Sequence, residues 1–293
     1  MASPPLLHRP STEGELLRIL AEHQDEAKIV AGGTAFTILW RAGLLRPGHL
    51  VSAAGIPGLA GIAGEPGTTA VGALTRLRDV ERSPEVLAAQ PVLAAALRLV
   101  ANVRVRNVAT MGGNVAEADP TSDPPAVLAA LGARMELGSA GGRREVAAAE
   151  FFVDFYETAL RPDEIVRRVL VPDLSAEWTG AYVKFLSRSA EDRTCIGVAA
   201  FVRSAPDGGC AGLRLAAVGV GPVPLRLEHV EEQVVGARLD RQAVAHLAAE
   251  YVSAADPVSD VRGSADYRRQ VLAPLIDQAV RRAVTGTNGA VLA

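Results

Sequence analysis

The sequence predicts an α+β protein: an N-terminal part built from two subdomains, then a three-stranded antiparallel sheet with helices. Three observations predict it. The first 55 or so residues read helix, strand, glycine loop, helix, strand, which is a small α/β unit. Residues 56 to 82 are rich in Gly, Pro and Thr, the mark of turns between strands and the start of a second subdomain. Beyond "PDLSAEWTG" (172–180), which reads as a linker, strand candidates come first and helix candidates close the chain. The expected division is 1–176, with subdomains of about 1–55 and 56–176, and then 177–293.

Each element has a local reason. "STEGELLRILAEH" opens with a capping-box pattern, Thr12 to Glu15, and carries Leu16, Leu17 and Leu20 on one side, so it is an amphipathic helix. "AKIV" (27–30) is a short buried strand running into "AGGT"; "AFTILWRAG" is helix-like and "HLVSA" a second strand. "TAVGAL" is strand-like. "SPEVLAAQPVLAAALRLVAN" predicts a helix with Ser83 as cap and Pro84 at the first position. "NVRVRNVATMGGNVAEADPTSDPP" (102–125) fits neither a helical period nor an alternation. "PPAVLAALGA" is a short helix with Asp123 as its expected cap. "RMELGS", "RREVAAAEF" and "EIVRRVLVP" resemble strands and connections. In the C-terminal part, "AYVKFLSR", "CIGVAAFVR" and "LRLAAVGVG" are the strands. "DRQAVAHLAAEYVSA" and "SADYRRQVLAPLIDQAVRRAV" are the helices, the second expected to kink at Pro274.

Composition excludes several function classes. Of 293 residues 49% are hydrophobic and only 4% aromatic, so the core must be made of Ala, Val and Leu. A net charge of -3 argues against a nucleic-acid binder with a broad basic surface. Cys195 and Cys210 are too few for an iron–sulfur cluster or a cysteine-rich zinc site. None of the histidines, His8, His23, His49, His229 and His246, makes a zinc-ligand spacing with another His or Cys, so no metal site is expected. "MASPPLLHRP" lacks the pattern of a signal peptide, and no apolar run approaches the ~20 residues of a membrane span. A cytoplasmic protein is expected. "VERSPE", "DRQ" and "RRE" read as solvated charges.

Two stretches could carry chemistry. "AGGTAF" (31–36) follows a strand directly, and consecutive glycines let backbone N–H groups converge on an anion, with Thr34 adding a hydroxyl. It is neither G-x-G-x-x-G nor G-x-x-x-x-G-K-[ST]. A strand-to-helix turn needs glycine in any case. "ATMGGN" supplies a second, similar cradle through Thr110, Gly112, Gly113 and Asn114. Two such turns suit the two ends of a pyrophosphate, which neutral donors can bind without a lysine. Asp123 could accept from a sugar hydroxyl, cap its helix, or do both. No nucleophile elbow and no nucleophile–base pair is present, and no catalytic residue is assigned.

These residues resemble the FAD-binding subunit of the molybdenum-containing hydroxylases, the family of the carbon monoxide dehydrogenase medium subunit and the xanthine dehydrogenase flavin domain. The resemblance is carried by "VRNVATMGGNVAEADPTSDPPAVLAALGA" and "KIVAGGTAF". "YVKFLSRSAEDRTCIGVAAFV", "GVGPVPLRLEHVE" and "ADYRRQVLAPLIDQAVRRA" extend it through nearly the whole chain. It implies a two-part FAD domain of the p-cresol methylhydroxylase type and then a smaller α+β domain. It puts FAD contacts at Ala31, Gly32, Gly33, Thr34, Ala35 and Phe36, at Thr110, Met111, Gly112, Gly113 and Asn114, and at Asp123. Val100 and Val166 fall near positions that touch the flavin ring. Lys184 falls on a lysine near the flavin in some members; as a strand residue it could equally face solvent. Arg188 and Asp192 fit an "R…D" pattern. The chain departs from the family at Ala35-Phe36, Met111, Glu117 and Val100, none of which removes a glycine or hydroxyl donor.

The resemblance also implies a function. FAD, held non-covalently since no histidine adjoins either loop, would take electrons from two 2Fe–2S clusters of a small partner subunit. A molybdenum-cofactor large subunit would oxidise the substrate, in a dimer of heterotrimers. NAD, a quinone or oxygen would accept the electrons. A stand-alone FAD oxidoreductase and a non-enzymatic nucleotide-binding module remain open at this point.

Overall fold

The structure, a computed structural model, describes residues 4–187, 189 and 193–286. The first subdomain contains β1 (Leu6–His8), α1 (Glu13–His23), β2 (Ala27–Val30), α2 (Thr34–Arg41) and β3 (His49–Ser52). Its strands form a parallel sheet in the order β1-β3-β2. The capping box at Thr12 is present in altered form. Thr12 Oγ1 accepts from Glu15 N, while the Glu15 carboxylate reaches Ser11 rather than Thr12. Leu16, Leu17 and Leu20 close a small core over Val51, Ile56 and Leu59.

The second subdomain begins with the hairpin β4 (Ile62–Glu65) and β5 (Thr68–Gly72). Short helices follow: α3 (Leu77–Arg82), α4 (Pro84–Ala89), α5 (Pro91–Arg98), α6 (Val103–Arg106), α7 (Met111–Glu117) and α8 (Asp123–Leu131). Then come β6 (Arg134–Ser139), β7 (Gly142–Ala147), α9 (Ala148–Phe151), a small hairpin of β8 (Phe152–Asp154) and β9 (Glu157–Thr158), and β10 (Ile165–Pro172). An antiparallel sheet runs β4-β5-β10-β6-β7. Every residue of α8 is buried. The single helix expected from Ser83 onward is broken at Gln90, because Pro91 starts a new helix and has no N–H to continue the old one.

The third part is the antiparallel sheet β11 (Trp178–Phe185), β12 (Ile196–Ser204), β13 (Cys210–Val218), with α10 (Glu228–Gln233), α11 (Arg241–Ala254) and α12 (Ala265–Val284). It is a layer between two cores. Tyr182, Ala199, Phe201, Ala216 and Val218 pack toward the second subdomain. Val183, Val198, Ala200, Leu215 and Ala217 pack toward α11 and α12. This strict alternation is the sheet's two-residue period with both faces covered. The last helix runs through Pro274 as one element. Among the described residues no helix is long and apolar enough to cross a membrane.

One charged cluster ties the first subdomain to the second. Arg167 on β10 pairs with Glu13 at the start of α1 (Nη2 to Oε2, 2.8 Å) and with buried Glu136. Gly138 makes room for it, since a Cβ there would sit 2.5 Å from Arg167 Cδ. The pairing fixes how the two subdomains meet, and the candidate site lies at that meeting.

Candidate functional site

β2 ends at Val30 and the chain turns through Ala31, Gly32 and Gly33 into α2. Gly33 has φ +67°, the left-handed region, which is why glycine is needed there. It is also the residue that precedes α2, and it offers no capping side chain. The N–H groups of Gly32, Gly33, Thr34, Ala35 and Phe36 therefore have no hydrogen-bond partner among the described residues. They gather at the positive end of the α2 dipole, an arrangement suited to an anion.

The 110–114 turn is different. The stretch expected to be irregular holds the helix α7, capped by Thr110, whose Oγ1 accepts from Gly113 N at 3.2 Å. Met111 N donates to Thr75 O, Gly112 N to Ala73 O and Asn114 N to Thr110 O. The backbone donors of 111–114 are thus spent within the fold, which corrects the expectation of a second, similar backbone cradle. What remains for a ligand is side chain: the Thr110 hydroxyl hydrogen and the Asn114 amide, which pairs with Ser122 Oγ at 2.9 Å and keeps one hydrogen free. Helical period was illegible here because α7 is short and carries glycine at its second and third positions.

The two turns touch. A Cβ on Gly32 would lie 2.1 Å from the Val108 carbonyl oxygen, and one on Gly113 would point to Ala31 Cβ at 4.0 Å. Between them opens a cleft of about 480 Å³ lined by Ala31 to Phe36, Val100, Thr110, Gly113, Asn114, Asp123 and Lys184. A second cavity of about 420 Å³ lies on the other side of the contact and shares Ile29, Ala31, Gly113 and Glu117 with the first. Gly112 and Val166 line the second cavity and not the first. Met111 lines neither and is fully buried in the core. Val100 and Val166, expected near one ring, therefore face different cavities.

Asp123 and Lys184 form a buried network. Asp123 is the first residue of α8 and not its cap, which is Ser122. Its Oδ1 accepts from Tyr182 Oη (2.7 Å) and Thr194 Oγ1, and its Oδ2 from Lys184 Nζ (2.9 Å). One lone-pair position on Oδ2 is left for a ligand hydroxyl. Burial pushes the Asp123 carboxyl up from the usual range, and Lys184 and the two hydroxyls oppose it. Burial, then the Asp123 charge, holds the Tyr182 phenol neutral. Lys184 is 3% exposed, so it does not face solvent. Its ammonium also donates to Leu99 O at 2.8 Å.

Of the cleft rim at 99–101, the sequence expectation named Val100 alone. Ala101 has φ +45°, unusual for a residue with a Cβ. Arg106 Nη1 holds the Val100 and Ala101 carbonyls at 2.9 and 3.3 Å, and Lys184 holds that of Leu99. Arg106 in turn pairs with Glu81 at 2.7 Å, and Arg78 pairs with the same carboxylate. Glu81 is 0% exposed, so of the charges in "VERSPE" Arg82 and Glu85 are exposed as expected and Glu81 is not. In "RRE", Arg144 grips Glu164 at 2.7 Å. The sequence signal for the rim is Arg104 and Arg106 alternating with valine just after a helix. Glu117 borders both cavities; burial lifts its carboxyl, with Lys28 pulling the other way. Arg188 and Asp192 lie outside the described residues.

Residues 3–174 match the family model described as the FAD binding domain in molybdopterin dehydrogenase, and residues 181–283 that of the CO dehydrogenase flavoprotein C-terminal domain. The chain belongs to this flavoprotein family. The carbon monoxide dehydrogenase medium chain of Hydrogenophaga pseudoflava is 33% identical over 94% of this chain and 96% of its own. The 6-hydroxypseudooxynicotine dehydrogenase complex subunit alpha of Paenarthrobacter nicotinovorans is 33% identical over 92% and 90%. A solved structure of carbon monoxide dehydrogenase from H. pseudoflava superposes with a TM-score of 0.93, covering 97% of this chain and 99% of that one. Quinoline 2-oxidoreductase from Pseudomonas putida 86 superposes at 0.90, with 28% identity, 98% of this chain and 99% of that one. The protein is thus a medium, FAD-binding subunit of the molybdenum hydroxylase type. The donor set fits that cofactor: unpaired N–H groups at a helix start for a diphosphate, neutral hydroxyl and amide donors beside them, and one free acceptor position on Asp123.

Proposed function

We propose that this subunit receives electrons from 2Fe–2S clusters of a small partner subunit and delivers them to an external acceptor, while a molybdenum-cofactor large subunit oxidises the substrate. The observation that carries the reading is the unpaired N–H row at Gly32 to Phe36, sealed on one side by the Val108–Asn114 turn. FAD, when bound, supplies two-electron redox chemistry toward NAD, a quinone or oxygen. The chain supplies position. Gly32 to Phe36 hold the diphosphate, Thr110 and Asn114 donate to it from the facing turn, and Asp123 accepts from a ribityl or ribose hydroxyl. Lys184 and Arg106 keep the Leu99–Ala101 rim in place beside the flavin, so that Val100 excludes water from one side of the cleft. Val166 lines the second cavity, which shares Gly113 with the first, and would be the residue that holds any part of the cofactor lodged there. Metal clusters must come from partners. Cys195 and Cys210 are both buried, and neither is one of a set of neighbouring ligand residues among the described residues. A dimer of heterotrimers is the assembly this reading favours.

The test is colour and company. Purified protein should be yellow and bleach with dithionite, and it should co-purify with iron and molybdenum in a tagged pull-down. A protein that stays colourless after FAD reconstitution ends the proposal. A yellow protein that turns over a small substrate alone, without partners, assigns it instead to stand-alone oxidoreductases.

A further inference from the structure

The first subdomain gathers three histidines that sequence spacing kept apart. His8 ends β1, His23 ends α1 and His49 begins β3. Their ligand nitrogens all lie within 4.8 Å of one another. His8 Nε2 and His49 Nδ1 are 2.9 Å apart and share a proton. The His23 ring lies on His49 at 3.7 Å between centroids, tilted by 13°, and 5.5 Å from His8. All three are half-buried, and none lines either cavity of the flavin site. They sit at the opposite end of β3 and β2 from the glycine turn, since His49 pairs with Ala27, the first residue of β2.

We propose that His8, His23 and His49 bind one borderline divalent transition ion, Zn²⁺ being the representative, which clamps β1, α1 and β3 together. The donor set selects the ion class. Three neutral imidazoles suit zinc, copper or nickel and offer nothing to magnesium or calcium, which need oxygen. With Zn–N bonds of about 2.1 Å, ligand nitrogens on a tetrahedron stand about 3.4 Å apart. The His8–His49 pair is already near that spacing, and the ion takes the place of their shared proton, which moves to a ring's other nitrogen. His23 must turn about its ring bond to aim a nitrogen at the ion. It breaks no hydrogen bond to do so, since its ring nitrogens have no partner among the described residues. The fourth position is left for water, the three histidines being only half-buried. Three elements far apart in sequence are then cross-linked in a small subdomain whose own core is little more than a few leucines, an isoleucine and a valine.

The full chain, stripped with a chelator and titrated with Zn²⁺ alone against a chromophoric competitor, should take up one ion at micromolar or lower free metal. Saturating Zn²⁺ should raise its thermal midpoint by about 5 °C. His23→Gln and His49→Gln should each weaken uptake about tenfold or more, with ligand loss comparable to or worse than loss of an outer-shell partner, and abolish the thermal shift. Their flavin content should stay at the wild-type level, which separates this site from the FAD cleft. His246→Gln should change nothing. Wild type that takes up no stoichiometric Zn²⁺, or a triple His8/His23/His49→Gln variant that takes up as much as wild type, overturns the site. Should the variants fail to fold, Co²⁺ added to wild type decides. Intense visible bands of a tetrahedral nitrogen-bound ion support the site, and the pale spectrum of the hydrated ion refutes it.

Discussion

The turns at 31–36 and 110–114 look alike in sequence, each a Gly-Gly beside a threonine, yet they do different work. The first leaves its backbone donors without a partner among the described residues, and Gly33, in the left-handed region just before α2, offers no capping side chain. The second spends its donors on Thr75, Ala73 and Thr110 and contributes through side chains and close approach. A glycine pair is thus ambiguous: one pair leaves backbone donors without a partner among the described residues, the other uses its donors within the fold. Even within the second pair the roles split. Gly112 lies against Ala73, where a Cβ would meet Ala73 Cβ at 2.4 Å, while Gly113 faces the first turn.

Substitutions can break this contrast, beginning with the most damaging. Gly32→Val places a branched side chain on the Val108 carbonyl and parts the turns. It should cost about 3 kcal/mol of stability and remove the flavin as well, read by thermal denaturation and by the absorbance of the purified protein. Gly112→Val should cost roughly 2–3 kcal/mol through its clash with Ala73, with flavin lost only in proportion to unfolding. Gly113→Val should do the reverse: flavin content falls at least severalfold while the melting temperature moves less than in Gly112→Val, because its Cβ meets the Thr110 Oγ1 at 2.9 Å, a side-chain atom, and then only Ala31 Cβ at an ordinary 4.0 Å. Equal flavin in wild type and Gly113→Val would remove that turn from the cofactor's path. The finest distinction is between the threonines. Thr110→Val should cost about 1 kcal/mol as a lost cap, whereas Thr34→Val should leave stability unchanged and only weaken FAD affinity. If Thr34→Val destabilises as much as Thr110→Val, the two turns are not distinct in kind.

The buried network offers a further check on the rim. Lys184→Ala leaves Asp123 without its cation and frees the Leu99 carbonyl; removing one partner of a buried pair costs about 3–5 kcal/mol. Lys184→Ala together with Asp123→Ala should be less damaging than the sum of the two single changes, as measured by a double-mutant cycle in denaturant.

Much of this was legible in the chain. Strands β2, β3, β5, β6, β10, β11, β12 and β13 follow from short apolar runs bounded by Gly and Pro, and α1, α11 and α12 from cap and period. The residues of the first turn were legible because strand, Gly-Gly and helix are contiguous. The short helices α6 and α7 were not, since four to seven residues hold too few turns to display a period. Nor was the fate of Glu81, whose acidic and basic neighbours in sequence imitate a solvated surface while Arg78 and Arg106 meet it in the interior.

The sequence by itself determined most of the longer elements, the family and the cofactor, because propensity, capping and glycine placement act over a few residues and the motifs are contiguous. Only the tertiary structure decided which N–H groups are left unpaired, that Lys184 is buried on Asp123 rather than solvated, and that His8, His23 and His49 adjoin. Those facts depend on distances between segments tens of residues apart, and such distances are set by packing of the whole chain, not by any stretch of it.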